Sequence, residues 1–289
     1  MARPTEEILG SVVSLWRYPV KSMLGEELNA AEVGQRGVLG DRAYALLDRT
    51  DGKVVSAKNP RKWPRLFEFR AGFADPVHRG HRTPPVRITL PDGTLLTSEQ
   101  KDVDEYLSRV LGREVTLEAA EPGRREAVES TFPNPWAPRA EEYWPDMEGL
   151  DYRDTVTDFD LPEGTFFDCA VVHVLTTATL DRLRELYPDG RFEVRRFRPN
   201  VVVETLAGVK DFTEDAWIGR TVRIGGDGVR LAITGPCPRC VMTTLPQADL
   251  PKDRGILRTA ARHNNVNVGV YASVLQGGEI RRSDTVKLE

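Results

Sequence analysis

Between Ile8 and about Glu118, short apolar runs alternate with turn signals: SVVSLWRYPV, RAYALLDRTDGKVVS, LFEFRAGF and VRITLPDGTLLT. None reaches helical length. The pairs Asp51-Gly52 and Asp92-Gly93 each sit between strand-like runs, which is the arrangement of tight hairpins. The pattern predicts a mostly antiparallel sheet. It closes with one helix in SEQKDVDEYLSRVLG, where Val103, Leu107, Val110 and Leu111 share a face, and Thr97 with Gln100 makes a capping box. From 119 to 165 the period is lost in ESTFPNPWAPRAEEYWPDMEGLDYRD. That stretch predicts a long irregular connection, and its Trp136, Tyr143, Trp144 and Tyr152 suit packing on a surface or a ligand.

Order returns with a strand-like AVVHVL and a helical TTATLDRLRELYP that Pro188 and Gly190 stop. After it NVVVETL, TVRIGGDGVRLAIT, CVMTTL, VGVYASVL and TVKLE follow at hairpin spacing, with another Asp-Gly turn in the second. These predict a second sheet closing on itself. The expected fold class is mainly β with a few helices (α+β), in two subdomains. A length of 289 residues with 40% hydrophobic content is enough to bury two cores.

Charge narrows the partners. A net charge of −4 from both signs excludes the basic field that draws a chain onto nucleic acid or an acidic membrane, so any anion site is local. The amino terminus MARPTEEILGSVVSL lacks a leader pattern and no run of eighteen apolar residues occurs, so a cytoplasmic protein with no membrane partner is expected.

Candidate chemistry centres on GPCPRCVMTT, residues 235 to 244. Its cysteine pair reads in four ways. Cys237 and Cys240 with His78 and His81 of HRGH make a conceivable zinc set. A CxxC pair can cycle as a disulfide, although a strand-like run rather than a helix follows it. Buried cysteines also act as small hydrophobes, a reading that suits Cys169 in FFDCAVVHVL. The favoured reading is a reactive thiol: Gly235-Pro236 and Pro238 force a turn that sets Cys240 at a strand mouth, beside an arginine that lowers its pKa.

Three weaker signals accompany it. RFEVRRFRPN carries Arg191, Arg195, Arg196 and Arg198 with Asn200, either a phosphate-binding cluster or the solvated face of a strand. YPVKS presents Lys21, Ser22 and backbone N–H groups on a turn, a small anion nest. GDRAYALLD places Asp41 and Arg42 at the start of a strand. His173 and His263 are assigned no role. No GxSxG, HExxH or phosphate-loop motif occurs.

In this order, YPVKS, GDRAYALLD, RRFRPNVVVE and DAWIGRTVRIG with LAITGPCPRCVMTT, the chain resembles the MOSC family, the molybdenum cofactor sulfurase carboxy-terminal domain proteins. It is similar to the two-part members, bacterial reductases of N-hydroxylated compounds and the mitochondrial amidoxime-reducing component. The resemblance implies an N-terminal β-barrel domain over 1–118, a connection over 119–159 and a MOSC β-barrel domain over 160–289. It also implies a molybdenum cofactor (molybdopterin) with Cys240 as the catalytic metal ligand and Arg239 beside it. By the same resemblance Lys21, Ser22, Arg42, Arg198 and Asn200 hold pterin and phosphate, and Thr176 and Thr177 occupy a turn beside the cofactor. The implied function is reduction of small N-hydroxylated substrates with electrons from a separate donor protein. Two alternatives stand beside it: a persulfide carrier using Cys240, and a cofactor-binding protein without turnover.

Overall fold

The computed structural model describes residues 7–120, 139–144, 155–161, 166–226 and 228–289. Trp136, Tyr152 and Asp227 therefore lie outside the described residues, as do the first six positions of the amino terminus. The first half contains β1 (Glu7–Arg17), β2 (Glu26–Leu28), β3 (Ala30–Gly34), β4 (Gly37–Val38), β5 (Tyr44–Asp48), β6 (Arg70–Phe73), β7 (Val86–Thr89), β8 (Leu95–Thr97), helix α1 (Val103–Leu111) and β9 (Val115–Ala119). A hairpin follows, β10 (Arg139–Trp144) with β11 (Thr155–Asp160). The second half contains β12 (Val172–Thr176), α2 (Thr177–Leu186), α3 (Val194–Phe197), β13 (Val201–Thr205), β14 (Thr221–Ile224), β15 (Val229–Pro238), α4 (Gly255–Asn264), β16 (Asn267–Gln276), β17 (Gly278–Arg281) and β18 (Thr285–Leu288).

The protein is mostly β, as the alternation predicts. Strands β13, β12, β16, β15, β14, β18 and β1 form a sheet that closes through the β1–β13 pairing into a seven-stranded barrel. Its interior is filled by alternate residues of these strands, among them Val12, Val174, Val203, Leu231 and Val270. The first strand of the chain thus completes the barrel of the second half, so a cut at residue 118 does not separate the barrel from what precedes it. A second core gathers β5 to β9 and α1 around Phe69, Ile88, Leu96 and Leu107.

The two Asp-Gly turns predicted in the first half form, with Gly52 and Gly93 at φ +70° and +87°. Several local expectations change. Thr97 stays paired with Arg87 in the β7–β8 ladder, so no capping box forms, and Asp102 precedes α1 without a side-chain cap. The irregular connection holds the β10–β11 hairpin. GPCP is not a turn: it continues β15, its prolines tolerated where the ladder to β16 shifts register between Ile233 and Gly235 and between Pro236 and Pro238. VMTT is then a 3-10 helix over Val241–Thr244 rather than a strand. The reason is tertiary: Met242 and Leu245 are buried in the first-half core, which pulls this segment off the barrel. RFEVRRF is likewise no strand face, because α3 occupies Val194–Phe197.

Candidate functional site

Where the barrel meets the first-half core, a cavity of about 430 Å³ opens. Cys240 reaches it from the end of β15, Arg198 and Asn200 from the link between α3 and β13, and Lys21, Ser22 and Arg42 from two loops of the first half. Those loops are stitched together by Lys21 N donating to Tyr44 O at 2.8 Å and Arg42 N to Tyr18 O at 2.9 Å. Three of these residues, Ser22, Arg42 and Arg198, hold positive φ of 64°, 49° and 56°. Side chains rarely adopt this left-handed backbone, so these three positions of the cavity wall are strained.

Lys21 is buried, donates to Phe166 O at 2.8 Å and is ion-paired with Asp168. Burial pushes its pKa down against the pull of Asp168. Lys58 shares the same carboxylate at 3.5 Å and meets Glu142 at 3.3 Å. Burial opposes the Lys58 charge, but Asp168, Cys240 and Glu142 outweigh it and hold the ammonium above its ordinary range. Asp168, which burial alone would raise, is kept well below the usual carboxylate range by Lys21 and Lys58. Arg42 is paired with Asp41, and its guanidinium lies 4.7 Å from the Tyr18 ring; Arg198 lies 4.1 Å from the same ring and donates to Met23 O at 2.6 Å. Burial and then the neighbouring Arg42 lower Arg198 to about 10.

Asn200 lines the cavity but spends its amide on the frame. Its Oδ1 accepts from His173 N at 3.1 Å, and its Nδ2 donates to Asp41 Oδ2 at 2.8 Å and Trp16 O at 3.3 Å. Thr176 and Thr177 do not reach the cavity. Thr176 is fully buried, caps α2 through Thr179 N at 3.2 Å and donates to Glu214 at 2.6 Å, while Thr177 Oγ1 accepts from Thr205 N at 3.4 Å. Of the arginine cluster only Arg198 enters. Arg191 and Arg195 pair with Glu193 and Asp249 at the surface, and Arg196 is buried among backbone carbonyls.

The cysteine turn also differs from the sequence reading. Arg239 Nη1 donates to Cys237 Sγ at 2.7 Å, so the guanidinium serves the buried Cys237. Burial raises the Cys240 thiol, with Lys58 the main opposing charge. At Cys237 burial is outweighed by Arg239 and His173, which draw the thiol down to about 6. His78 and His81 stand on an exposed loop, and no group of three or more metal-ligating side chains gathers there or elsewhere among the described residues. Cys169, expected in the core, is exposed and lines the cavity. With Trp144, Pro238, Arg258 and Ala261 it makes up the exposed part of the lining. Lys58, Asp168, Glu142 and Trp144 were not assigned to the site from the sequence. Of these only Trp144, an aromatic in an aperiodic stretch, carried any signal.

The chemistry of this wall is that of an anion site with two thiols, Cys240 and the exposed Cys169. Six cationic side chains line it (Lys21, Arg42, Lys58, Arg198, Arg239, Arg258) against two carboxylates, Glu142 and Asp168. Arg239 Nε is buried without a hydrogen-bond partner among the described residues. Several buried cations and an orphaned buried donor in one wall suit a bound anion.

Comparison with known proteins gives the same outline. The model of the MOSC N-terminal beta barrel domain matches residues 9–123, and that of the MOSC domain matches 162–287. The mitochondrial amidoxime reducing component 2 of Bos taurus is 27% identical over 242 residues, covering 82% of this chain and 67% of that protein. The protein of the same name from Macaca fascicularis is 26% identical over 296 residues, covering 96% of this chain and 83% of its own. The solved structure of the YUAD protein from Bacillus subtilis aligns over 98% of this chain and 96% of its own, with a TM-score of 0.47 and 10% identity.

Proposed function

This chain belongs to the MOSC family as a two-domain member, and from that premise we propose that it is a molybdenum-cofactor oxidoreductase that reduces small N-hydroxylated substrates. The observation that carries the reading is the cavity itself, in which the thiol of Cys240, with the exposed Cys169 also in the lining, stands in a wall where cationic side chains outnumber carboxylates. That donor set fits a pterin cofactor with a phosphate tail and a thiolate-seeking metal. Cys240 would ligate the metal, and Lys21, Arg42 and Arg198 would take the phosphate and pterin. Ser22 and Asn200 fix the backbone around them: Ser22 Oγ accepts from Ala57 N at 3.0 Å, and Asn200 ties β1 to β12.

When bound, such a group supplies two-electron reduction of an N–O bond, with the oxygen released as water. The chain's part is to bind, orient and neutralise charge. Lys58, held protonated between Asp168 and Glu142, keeps positive charge near Cys240 and favours its thiolate. The relatives named amidoxime reducing component support the substrate class. Electrons would come from a separate protein. No helix among the described residues is long and apolar enough to cross a membrane.

The test is elemental analysis of protein purified from a host that makes the cofactor, alongside reduction of benzamidoxime by a supplied donor. Near-stoichiometric molybdenum is expected, and loss of most of it in Cys240→Ser. Full molybdenum in that variant with lost persulfide labelling would overturn the reading in favour of a sulfur carrier, and full molybdenum without turnover would reduce it to a binding protein.

A further inference from the structure

The two sulfurs of the Cys-Pro-Arg-Cys segment meet different surroundings. Cys240 lines the cavity, whereas Cys237 has no exposure and lies behind the wall. Three side chains converge on the Cys237 sulfur: Arg239, His173 of β12 and Tyr271 of β16, the last two being direct cross-strand partners. All three line the cavity, so they screen the sulfur from it. A guanidinium has only donors, so Arg239 Nη1 at 2.7 Å leaves the sulfur as acceptor. The other arm, Nη2, donates to Phe197 O at 2.8 Å, and these two bonds hold the guanidinium. His173 Nε2 faces Val268 O at 3.0 Å, and since a carbonyl can only accept, that nitrogen carries its proton. Cys169 is a further titratable neighbour. The strongest influences on this sulfur are burial, Arg239, His173 and Tyr271.

We propose that Cys237 is a positioning residue whose sulfur is anionic and serves as the buried counter-charge that fixes the Arg239 guanidinium in the cavity wall. The motif then divides two tasks between two cysteines. Cys240 presents its sulfur to the ligand, and Cys237 holds the cation beside it. Arg239 thereby stays charged and aimed without a carboxylate, which would compete with an anionic ligand for the same donors. The functional part rests on the cofactor reading above; the protonation state of Cys237 does not.

Raman spectra of the full-length protein in the S–H stretching region test the first part, comparing wild type with Cys237→Ser near pH 8. The expected difference spectrum has no S–H band, since the variant removes no thiol proton. Arg239→Met should make a Cys237 band appear, and Arg239→Lys, which keeps the charge, should not. A Cys237 band in wild type, or none in Arg239→Met, would overturn the proposal. For the second part, molybdenum per chain should fall roughly tenfold in Cys237→Ser, the loss of one charge-assisted bond. The double variant Cys237→Ser/Arg239→Met should hold no less than Arg239→Met alone. Unchanged molybdenum in Cys237→Ser sinks the positioning role. If wild type itself carries none, the cofactor reading fails while the Raman result still decides the state of Cys237.

Discussion

Arg196 offers the clearest test of what holds the cysteine segment in place. It is fully buried, and its guanidinium donates to four backbone carbonyls: Arg191 O at 2.8 Å, Thr243 O at 3.1 Å, Leu245 O at 3.2 Å and Pro251 O at 2.9 Å. Two of these belong to the turn that follows Cys240. Arg196→Met keeps much of the apolar volume and removes every donor. Four charge-assisted bonds at roughly 1.5 kcal/mol each come to about 6 kcal/mol. Removing a buried cation returns part of its desolvation cost, which leaves a net loss of about 3–5 kcal/mol. Urea unfolding should show a lower midpoint with the slope m unchanged. Because the orphaned carbonyls flank Met242 and Leu245, the segment should also lift from the first-half core, and maleimide labelling of Cys240 in a Cys169→Ser background should speed up. A stability loss below about 1 kcal/mol, or an unchanged labelling rate, would refute the view that this arginine anchors the site.

Other outcomes follow from neighbouring features. Adding a Cβ at Gly25 would place it 2.2 Å from Arg17 O and 2.5 Å from the Tyr18 ring, so Gly25→Ala should cost about 1–3 kcal/mol in urea unfolding and disturb the ring on which Arg42 and Arg198 rest. Burial raises the Glu214 carboxyl above its usual value, against hydrogen bonds from Thr176 and Thr179. A raised folded-state pKa contributes stability that is complete below the unfolded value near 4.3 and lost as pH rises through the folded one. Glu214→Gln should therefore gain stability relative to wild type as pH rises from about 4 to 8, measured by thermal unfolding, and a constant difference would contradict this. The Trp144 indole is half exposed at the cavity and pinned by Nε1 donating to Thr157 Oγ1 at 2.8 Å. Trp144→Ala should raise the KM for an aromatic N-hydroxylated substrate roughly tenfold and leave an aliphatic one unchanged in steady-state assays; equal effects on both would argue against a stacking role.

The strand periodicity, the two Asp-Gly turns of the first half, the helical face of α1 and the helix α2 were legible in the sequence because each depends on residues a few positions apart. The turn that presents Lys21 and Ser22 was readable for a related reason, since neighbouring residues set which groups it exposes, whereas Arg42 was singled out only through the family resemblance. Everything that depended on long-range contact was decided by the tertiary structure. RFEVRRFRPN contains four arginines that look alike in one dimension, yet one stacks on Tyr18 in the cavity, one is enclosed by carbonyls and two pair with surface carboxylates. VMTT has strand composition but becomes a 3-10 helix because Met242 and Leu245 gain more by burial in the other core. Lys58 and Asp168 are 110 positions apart and lie in no motif, and only the packing of the two halves brings their charges within 3.5 Å. Even in Cys-Pro-Arg-Cys, sequence adjacency pointed the arginine at Cys240. The geometry of β15 turns it back on Cys237, since which thiol a guanidinium stabilises is set by direction and burial.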